Sequence, residues 1–101
     1  MGEVQTNNLS IKENSWIARL AAKKLHAVNV AIVLGRTIHL YNVSKQELLK
    51  NEKWLKHELC HIKQFQQYGF ITFIAKYLWE SIKKGYFNNK FEVEARRAEN
   101  L

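Results

Sequence analysis

Residues 52–69 read EKWLKHELCHIKQFQQYG, a stretch without glycine or proline until its last residue, and it predicts a long helix. Asn51 can cap the start of this helix, and Gly69 can end it. His57 and His61 are four residues apart, so their imidazoles lie one turn apart on the same face. Two imidazoles at this spacing can hold one metal ion, and the sequence therefore predicts a metal site on this helix.

Three neighbours of the two histidines are candidates for roles at such a site. Glu58 lies about 100° from His57 around the helix, so its carboxylate lies beside the metal and can take a proton from a metal-activated water. Gln64 lies about 20° from His57 and is a candidate contact of the site, with polar surface as the alternative. Cys60 flanks the same face, where a small buried apolar side chain is the favoured interpretation.

The segment before the long helix predicts a helix followed by a hairpin. Ser15 can cap a helix that runs from residue 16 to about residue 27. Residues 28–34 and 37–41 are rich in β-branched side chains, and Gly35-Arg36 between them suits a two-residue hairpin turn. We therefore expect two antiparallel strands, and we expect the second strand to be the edge at which an extended peptide can pair.

Shorter signals predict the remaining helices. Ser44 and Glu47 form a capping box before a short helix that ends near Lys50. A third long helix is predicted over 70–84, with Gly85 as its end, and a last helix over 90–100 with a cap at Asn88 or Asn89. The apolar stripe of the third long helix is expected to face the core, and it comprises Ile71, Ile74, Ala75, Leu78 and Ile82, with Phe73 and Tyr77 widening it.

Composition limits the class of protein. The chain has 101 residues, which predicts one domain at residues 14–101 after a flexible polar segment at residues 1–13. Its single cysteine excludes an internal disulfide framework and a cysteine zinc finger, so a metal site must use histidines and carboxylates. Without a secretory signal or a membrane-spanning apolar run, we expect a cytoplasmic protein with no stable membrane insertion.

The third metal ligand must come from a later carboxylate. No histidine follows His61 at the short metzincin spacing, and the candidates are Glu80, Glu92, Glu94 and Glu99. Glu80 lies among lysines, which indicates surface ion pairing. Glu92 and Glu94 begin the last helix, and helical periodicity places Glu94 nearer the centre of its apolar stripe without deciding between the two.

These motifs together resemble a known family. H-E-L-C-H at 57–61, followed one helix later by E-V-E-A at 92–95, resembles the gluzincins, zinc peptidases whose ligands are two histidines and a glutamate. Residues 28–98 resemble in particular the minigluzincins, which are small soluble relatives of the integral-membrane zinc endopeptidases. They also resemble small H-E-x-x-H domains that share G-R-T-I-H-L, H-E-L-C-H-I-K-Q and N-N-x-F-E-x-E-A.

The resemblance implies a fold and a set of roles. The fold would be α+β, a minimal zincin-like domain that is mostly helical, with a small antiparallel hairpin packed on the H-E-x-x-H helix. His57, His61 and Glu92 would bind Zn²⁺, and Glu58 would be the general base for hydrolysis of a peptide or protein substrate. Membrane gluzincins have an aspartate four residues after the ligand glutamate, where this chain has Arg96. Because a guanidinium cannot accept a hydrogen bond, the groups that orient the ligands must differ here.

Two other functions compete with the metallopeptidase hypothesis. One is a zinc-stabilised interaction module with the same ligands and no turnover. The other is a basic nucleic-acid-binding domain with an accidental H-E-x-x-H, since the formal net charge is +7. The lysines and arginines are spread along the chain, so we expect solvated helix faces and no nucleic-acid partner. Nothing in the sequence indicates the oligomeric state.

Overall fold

The computed structural model describes residues 9–101, and the helices and strands within that range follow one another closely. In chain order these are β1 (Ser10–Lys12), α1 (Trp16–Leu25), β2 (Val30–Leu34), β3 (Thr37–Tyr41), α2 (Lys45–Lys50), α3 (Glu52–Tyr68), α4 (Phe70–Asn88) and α5 (Lys90–Ala98). The fold is therefore a mixed α/β fold, mostly helical, with one small sheet. No helix in the described range is both long and apolar enough to cross a membrane.

Polar side chains decide where the helices begin. Ser44 and Glu47 form the predicted capping box at the start of α2. The Oδ1 atom of Asn51 accepts a hydrogen bond from the backbone N–H of Trp54 at 3.1 Å, which caps α3. Of the two predicted candidates, Asn89 and not Asn88 caps the start of α5. Local hydrogen bonds therefore fix where α2, α3 and α5 begin, although only short segments separate the helices.

The sheet has three strands in the order β1-β3-β2, where a two-stranded hairpin was expected. β2 and β3 pair antiparallel through the turn at Gly35, whose φ is +65°. β1 pairs parallel with the other side of β3, with Ile11 opposite Ile38. Two expectations are corrected. Among the described residues, β3 is the central strand and β2 is therefore the free edge of the hairpin. The segment at residues 1–13, which was expected to be flexible, contains β1.

β1 was not predicted because it is short. A strand of three residues shows too little alternation to be recognised in a sequence, and pairing with β3 supplies the hydrogen bonds that its own pattern does not reveal. The expectation for residues 1–8 lies outside the described residues.

Helices cover both faces of the sheet. Ala18 and Ala22 of α1 pack on one face of the sheet, against Val30 of β2. The other face contributes Ile38 and Leu40, which are fully buried, to the main core. The helices fill this core with a further set of buried apolar side chains, Leu48, Leu55, Ile62, Phe65, Phe73 and Phe91. Because α3 crosses this core, its histidine-bearing face lies close to β2.

The expected orientation of α4 is only partly right. Ile71 and Ile82, in the stripe that was predicted to face the core, are each 76% exposed. The buried residues of α4 are Phe73, which was expected only to widen that stripe, and Glu80, and both lie roughly 180° from Ile71 and Ile82 around the helix. Phe73 packs against Phe65 and Phe91, with ring centroids 4.6 and 5.0 Å from its own. Aromatic packing therefore outweighs the longer aliphatic stripe.

The regular part of α4 ends where it was predicted to end. Gly85 has φ +81° and ψ 168°, which are not helical values, and beyond this kink the residues up to Asn88 form one further short turn. A φ in this range strains any residue with a Cβ atom, which explains why glycine occupies the kink. The kink leads into Asn89 and the start of α5.

Candidate metal centre

Three side chains from two helices converge on one point. α3 carries His57 and His61 on the same face, with ring centroids 5.0 Å apart. α5 brings Glu92 against both rings, and its Oε1 atom lies 3.2 Å from the Nε2 atom of each histidine. The three candidate ligand atoms all lie within 4.8 Å of one another. The three residues predicted as metal ligands are therefore together, and Glu94 is not part of this group.

A buried asparagine positions the helix that carries Glu92. Asn89 is fully buried, and its Oδ1 atom accepts a hydrogen bond from the backbone N–H of Phe91 at 2.9 Å. Its Nδ2 group donates to the backbone carbonyl of Tyr77 at 3.0 Å and to the hydroxyl of Ser81 at 2.9 Å. These bonds tie the first turn of α5 to α4. Glu92 lies in that first turn, where the helix dipole favours a negative charge.

The outer nitrogen of each histidine has its own acceptor. The Nδ1 atom of His57 lies 2.7 Å from Oε2 of Glu99, and that of His61 lies 2.8 Å from Oε1 of Gln64. An amide oxygen can only accept, so Nδ1 of His61 must be the donor, and the carboxylate of Glu99 favours the same tautomer in His57. When neutral, each ring would offer the lone pair of Nε2 to a cation, as metal-binding histidines do, and when protonated it donates from Nε2 to Glu92.

The sequence suggested different roles for Gln64 and Glu99. Gln64 was a candidate contact, and the structure buries it, with its Nε2 group donating to the carbonyl of Phe91 and to Oε1 of Glu94. Glu99 was one of the later carboxylates considered as the third ligand, and the structure places it behind His57 instead. It follows Glu92 by seven residues, which is two helical turns, and that spacing is the sequence signal for this position. The guanidinium of Arg96, which stands where membrane gluzincins have an aspartate, contacts the carbonyl and ring of Phe87.

Glu58 lies beside the three converging groups, as its place on the helix predicts. It is 4% exposed, and one of its oxygens accepts a hydrogen bond from the indole N–H of Trp54 at 3.1 Å. Burial raises the pKa of Glu58 to about 7, although the neighbouring His61 and His57 oppose this shift. A carboxylate with a pKa near neutrality is well matched to a general base.

Glu92 has a partner on each oxygen. While Oε1 faces the two histidines, Oε2 accepts a hydrogen bond from the hydroxyl of Tyr77. Burial alone would raise the pKa of Glu92, but the bonds from His57 and His61 outweigh it and hold this pKa well below its usual range. The carboxylate is therefore ionised throughout the neutral range. The hydroxyl of Tyr77 is thereby engaged with Glu92.

The histidines show the complementary shifts. Burial would lower the pKa of His57, but its hydrogen bond to Glu92, the charge of Glu58 and the contact with Glu99 raise it to about 9. The pKa of His61 is also raised, because Glu92 and Glu58 outweigh the effect of burial. Protons and a metal cation would therefore compete for the same atoms of the two imidazoles and the carboxylate.

A third histidine, His39, and the candidate Cys60 lie apart from this chemistry. His39 is buried under α1, where its Nδ1 atom lies 2.8 Å from the hydroxyl of Ser15, so it does not face the metal centre. Cys60 is partly buried, and burial and the charge of Glu94 raise its pKa to about 11. Its thiol therefore stays protonated and unreactive at neutral pH, which agrees with the apolar interpretation.

An apolar cleft of about 270 Å³ opens above the three converging side chains. One wall is β2 with Leu25 of α1, and the other is α4 through Ile74 and Leu78. His57, Glu58, His61 and Glu92 lie together in its lining, and the half-exposed Tyr86 lies beside them. The free edge strand therefore runs along the same cleft that contains the candidate metal ligands.

The three residues could hold a divalent metal ion, and their donor set is one that zinc accepts. Two histidines and one carboxylate are a known catalytic zinc set, which leaves one position open. Ligand atoms that share one tetrahedral zinc lie roughly 3.3 Å apart. The two contacts between Glu92 and the histidines are 3.2 Å long, close to that spacing.

Comparison with known proteins identifies no relative, because no family model, curated protein or solved structure matches this chain.

Proposed function

We propose that this chain is a zinc-dependent metallopeptidase of the gluzincin type. The convergence of His57, His61 and Glu92 within a cleft, with the buried Glu58 beside them, is the observation that carries the proposal. The minimal zincin-like fold is part of the same proposal. It is supported by a helix with H-E-x-x-H, a later helix with the glutamate, and a sheet whose edge borders the cleft.

Zinc bound by these three residues would polarise a peptide carbonyl and make a water molecule more acidic. Glu58 is the group in this chain that would take the proton from that water and pass it to the leaving amine. Its hydrogen bond with Trp54 holds one carboxylate oxygen and leaves the other for this transfer. Glu99 and Gln64 would hold the two imidazoles in the tautomer that presents Nε2.

A substrate would bind in extended form along β2. This strand is the free edge of the hairpin and lines the cleft next to His57 and His61. Backbone N–H and C=O groups at a sheet edge can pair with an added strand. The apolar walls of the cleft favour peptides with apolar side chains near the cleaved bond.

Metal content and hydrolysis test the proposal together. Elemental mass spectrometry of tag-free protein should find about one zinc per chain, as expected for one three-ligand site. Because other divalent metals also suit this donor set, the same spectrum should be read for manganese, iron, cobalt, nickel and copper. Hydrolysis of a library of quenched fluorescent peptides should require the metal and stop on addition of a chelator.

Glu58→Gln separates a peptidase from a zinc-stabilised interaction module. It should retain zinc while hydrolysis falls by at least about 10²-fold, since a general base contributes about 10² to 10⁴. Glu52→Gln is the matched control, because Glu52 lies on the same helix and forms only an exposed pair with Lys56. Zinc without hydrolysis in the parent would leave the interaction module, and no metal after incubation with zinc would reject both.

A further inference from the structure

The outward side of α4 is apolar although it faces solvent. Ile71, Leu78, Trp79 and Ile82, here called the outer face of α4, are between 55% and 76% exposed. Their positions fall within about 100° around the helix, so they form one continuous strip. Phe87, after the kink at Gly85, is also exposed. Exposed apolar strips of this kind mark sites of interaction with a partner or a membrane.

The charges around the outer face of α4 have one sign. Lys76 and Lys83 border it, and the Nζ atom of Lys83 lies 5.8 Å from the ring centroid of Trp79. The only acidic residue of α4 is Glu80, which is buried on the opposite side of the helix. There it accepts a hydrogen bond from the backbone N–H of Lys90, and it pairs with Lys83 at 3.3 Å and with Lys84 at 3.8 Å. The outer face of α4 is therefore bordered by lysines, of which Lys83 shares the charge of the buried Glu80, and its own helix adds no exposed carboxylate.

These features favour one kind of partner. A second copy would bring two cationic borders together in chains that each have a formal net charge of +7, and like charges oppose such contact. An anionic lipid surface offers negative headgroups for the lysines and an apolar layer for the isoleucines and Trp79. We propose that the outer face of α4 binds the surface of an anionic lipid bilayer, with the helix lying in the plane of the interface.

The location of this face relates it to the cleft. Leu78 belongs to the outer face of α4 and also lines the cleft above the candidate metal ligands. Leu25 of α1, which is about half exposed, lines the cleft from the other side. A bilayer bound to the outer face would therefore lie next to the cleft mouth. Lipid binding itself depends on α4 alone and stands or falls separately from the proposed hydrolysis.

Cosedimentation with vesicles tests the binding. The parent should bind vesicles of 30% phosphatidylserine in phosphatidylcholine, bind pure phosphatidylcholine at least about tenfold more weakly, and lose binding in 0.5 M NaCl, since charge contributes. The double variant Ile71→Gln with Ile82→Gln should weaken binding by about tenfold or more, because it removes apolar side chains from the interface. Val28→Gln is the matched control, because Val28 is an equally exposed apolar residue outside α4.

A depth measurement gives an independent readout on the folded parent. Brominated lipids should quench the fluorescence of Trp79, because an interfacial helix buries its apolar face about 5–10 Å into the boundary of the acyl chains. Trp79→Phe should remove most of this quenching, while Trp16 and Trp54 remain as internal references. Absence of binding to anionic vesicles, or quenching that Trp79→Phe leaves unchanged, would overturn the proposal. So would equal binding by the double isoleucine variant, or a dimer in sedimentation velocity that this variant dissociates.

Discussion

The Oε2 atom of Glu99 lies 2.7 Å from the Nδ1 atom of His57, on the side of the imidazole that faces away from Glu92. Glu92 and Glu99 are two turns apart on α5 and its C-terminal cap, so one helix supplies both a candidate ligand and the group that orients another. This arrangement places a carboxylate behind the imidazole although Arg96 stands where membrane gluzincins have an aspartate.

Replacing Glu99 should therefore weaken zinc binding. Glu99→Ala removes the acceptor behind His57, and we expect zinc affinity to fall by roughly 10- to 100-fold, as measured when such acceptors are removed elsewhere. Glu99→Gln keeps an accepting oxygen without the charge, so its loss should be smaller. Competition with a fluorescent zinc chelator measures both, with Glu52→Gln as the control. Equal affinity in Glu99→Ala and the parent would contradict the role of Glu99.

Gln64 should matter for stability and for metal binding at once. It is buried, orients His61 and satisfies the carbonyl of Phe91. Gln64→Ala leaves these polar groups without a partner, which should cost about 1–3 kcal/mol in the free energy of unfolding. Urea denaturation with and without zinc measures the effect. Gln67→Ala, at an exposed position of the same helix, should change neither quantity, and a comparable loss there would argue against a specific role.

Tyr77 should tune Glu92 without forming part of the reaction. Its hydroxyl donates to Oε2 of Glu92, and its own pKa is strongly raised by burial and by that carboxylate. Tyr77→Phe removes a donor to a buried carboxylate, so we expect several-fold weaker zinc binding. Tyr86→Phe, also in the cleft but without a described hydrogen bond to Glu92, is the control for affinity. A loss of hydrolysis in Tyr77→Phe at saturating zinc would instead indicate a direct catalytic role.

Without metal, the free energy of unfolding should fall as pH rises. The pKa of Glu58 is raised from 4.5 to about 7 and that of His57 from 6.5 to about 9, so the folded state binds more protons than the unfolded state across these ranges. Stability therefore falls as pH rises, between about 4.5 and 7 for Glu58 and between about 6.5 and 9 for His57. For Glu92 the pKa is lowered, so its contribution is present above 4.5 and is lost only in acid.

Thermal unfolding in a chelator should record this trend. We expect Tm to fall by about 5 °C or more between pH 5.5 and 9, since ~1 kcal/mol shifts Tm by roughly 4–8 °C in a small domain. Zinc should raise Tm most at the alkaline end, because deprotonated ligands bind metal best. His57→Gln should flatten the fall between pH 6.5 and 9. A Tm that rises with pH in the chelator would contradict the shifts at Glu58 and His57.

Local chemistry made much of this protein predictable from its sequence. The capping box at Ser44 and the caps of α3 and α5 depend on neighbours in the chain, so the helix starts could be read directly. The glycine of the hairpin turn brings residues 30–34 against 37–41 for the same reason. The four-residue spacing places His57 and His61 on one face of α3 wherever that helix packs.

Tertiary packing decided what these elements face and which distant groups meet. Periodicity left Glu92 and Glu94 open, and the anchoring of α5 by Asn89 turns Glu92 toward the histidines. Likewise, β1 takes one side of β3 and leaves β2 as the free edge, which three residues of sequence do not reveal. Aromatic packing around Phe73 turns the aliphatic strip of α4 to the outside. Contacts within a few residues are set by spacing along the chain, whereas these choices depend on competition between surfaces that only the folded chain brings together.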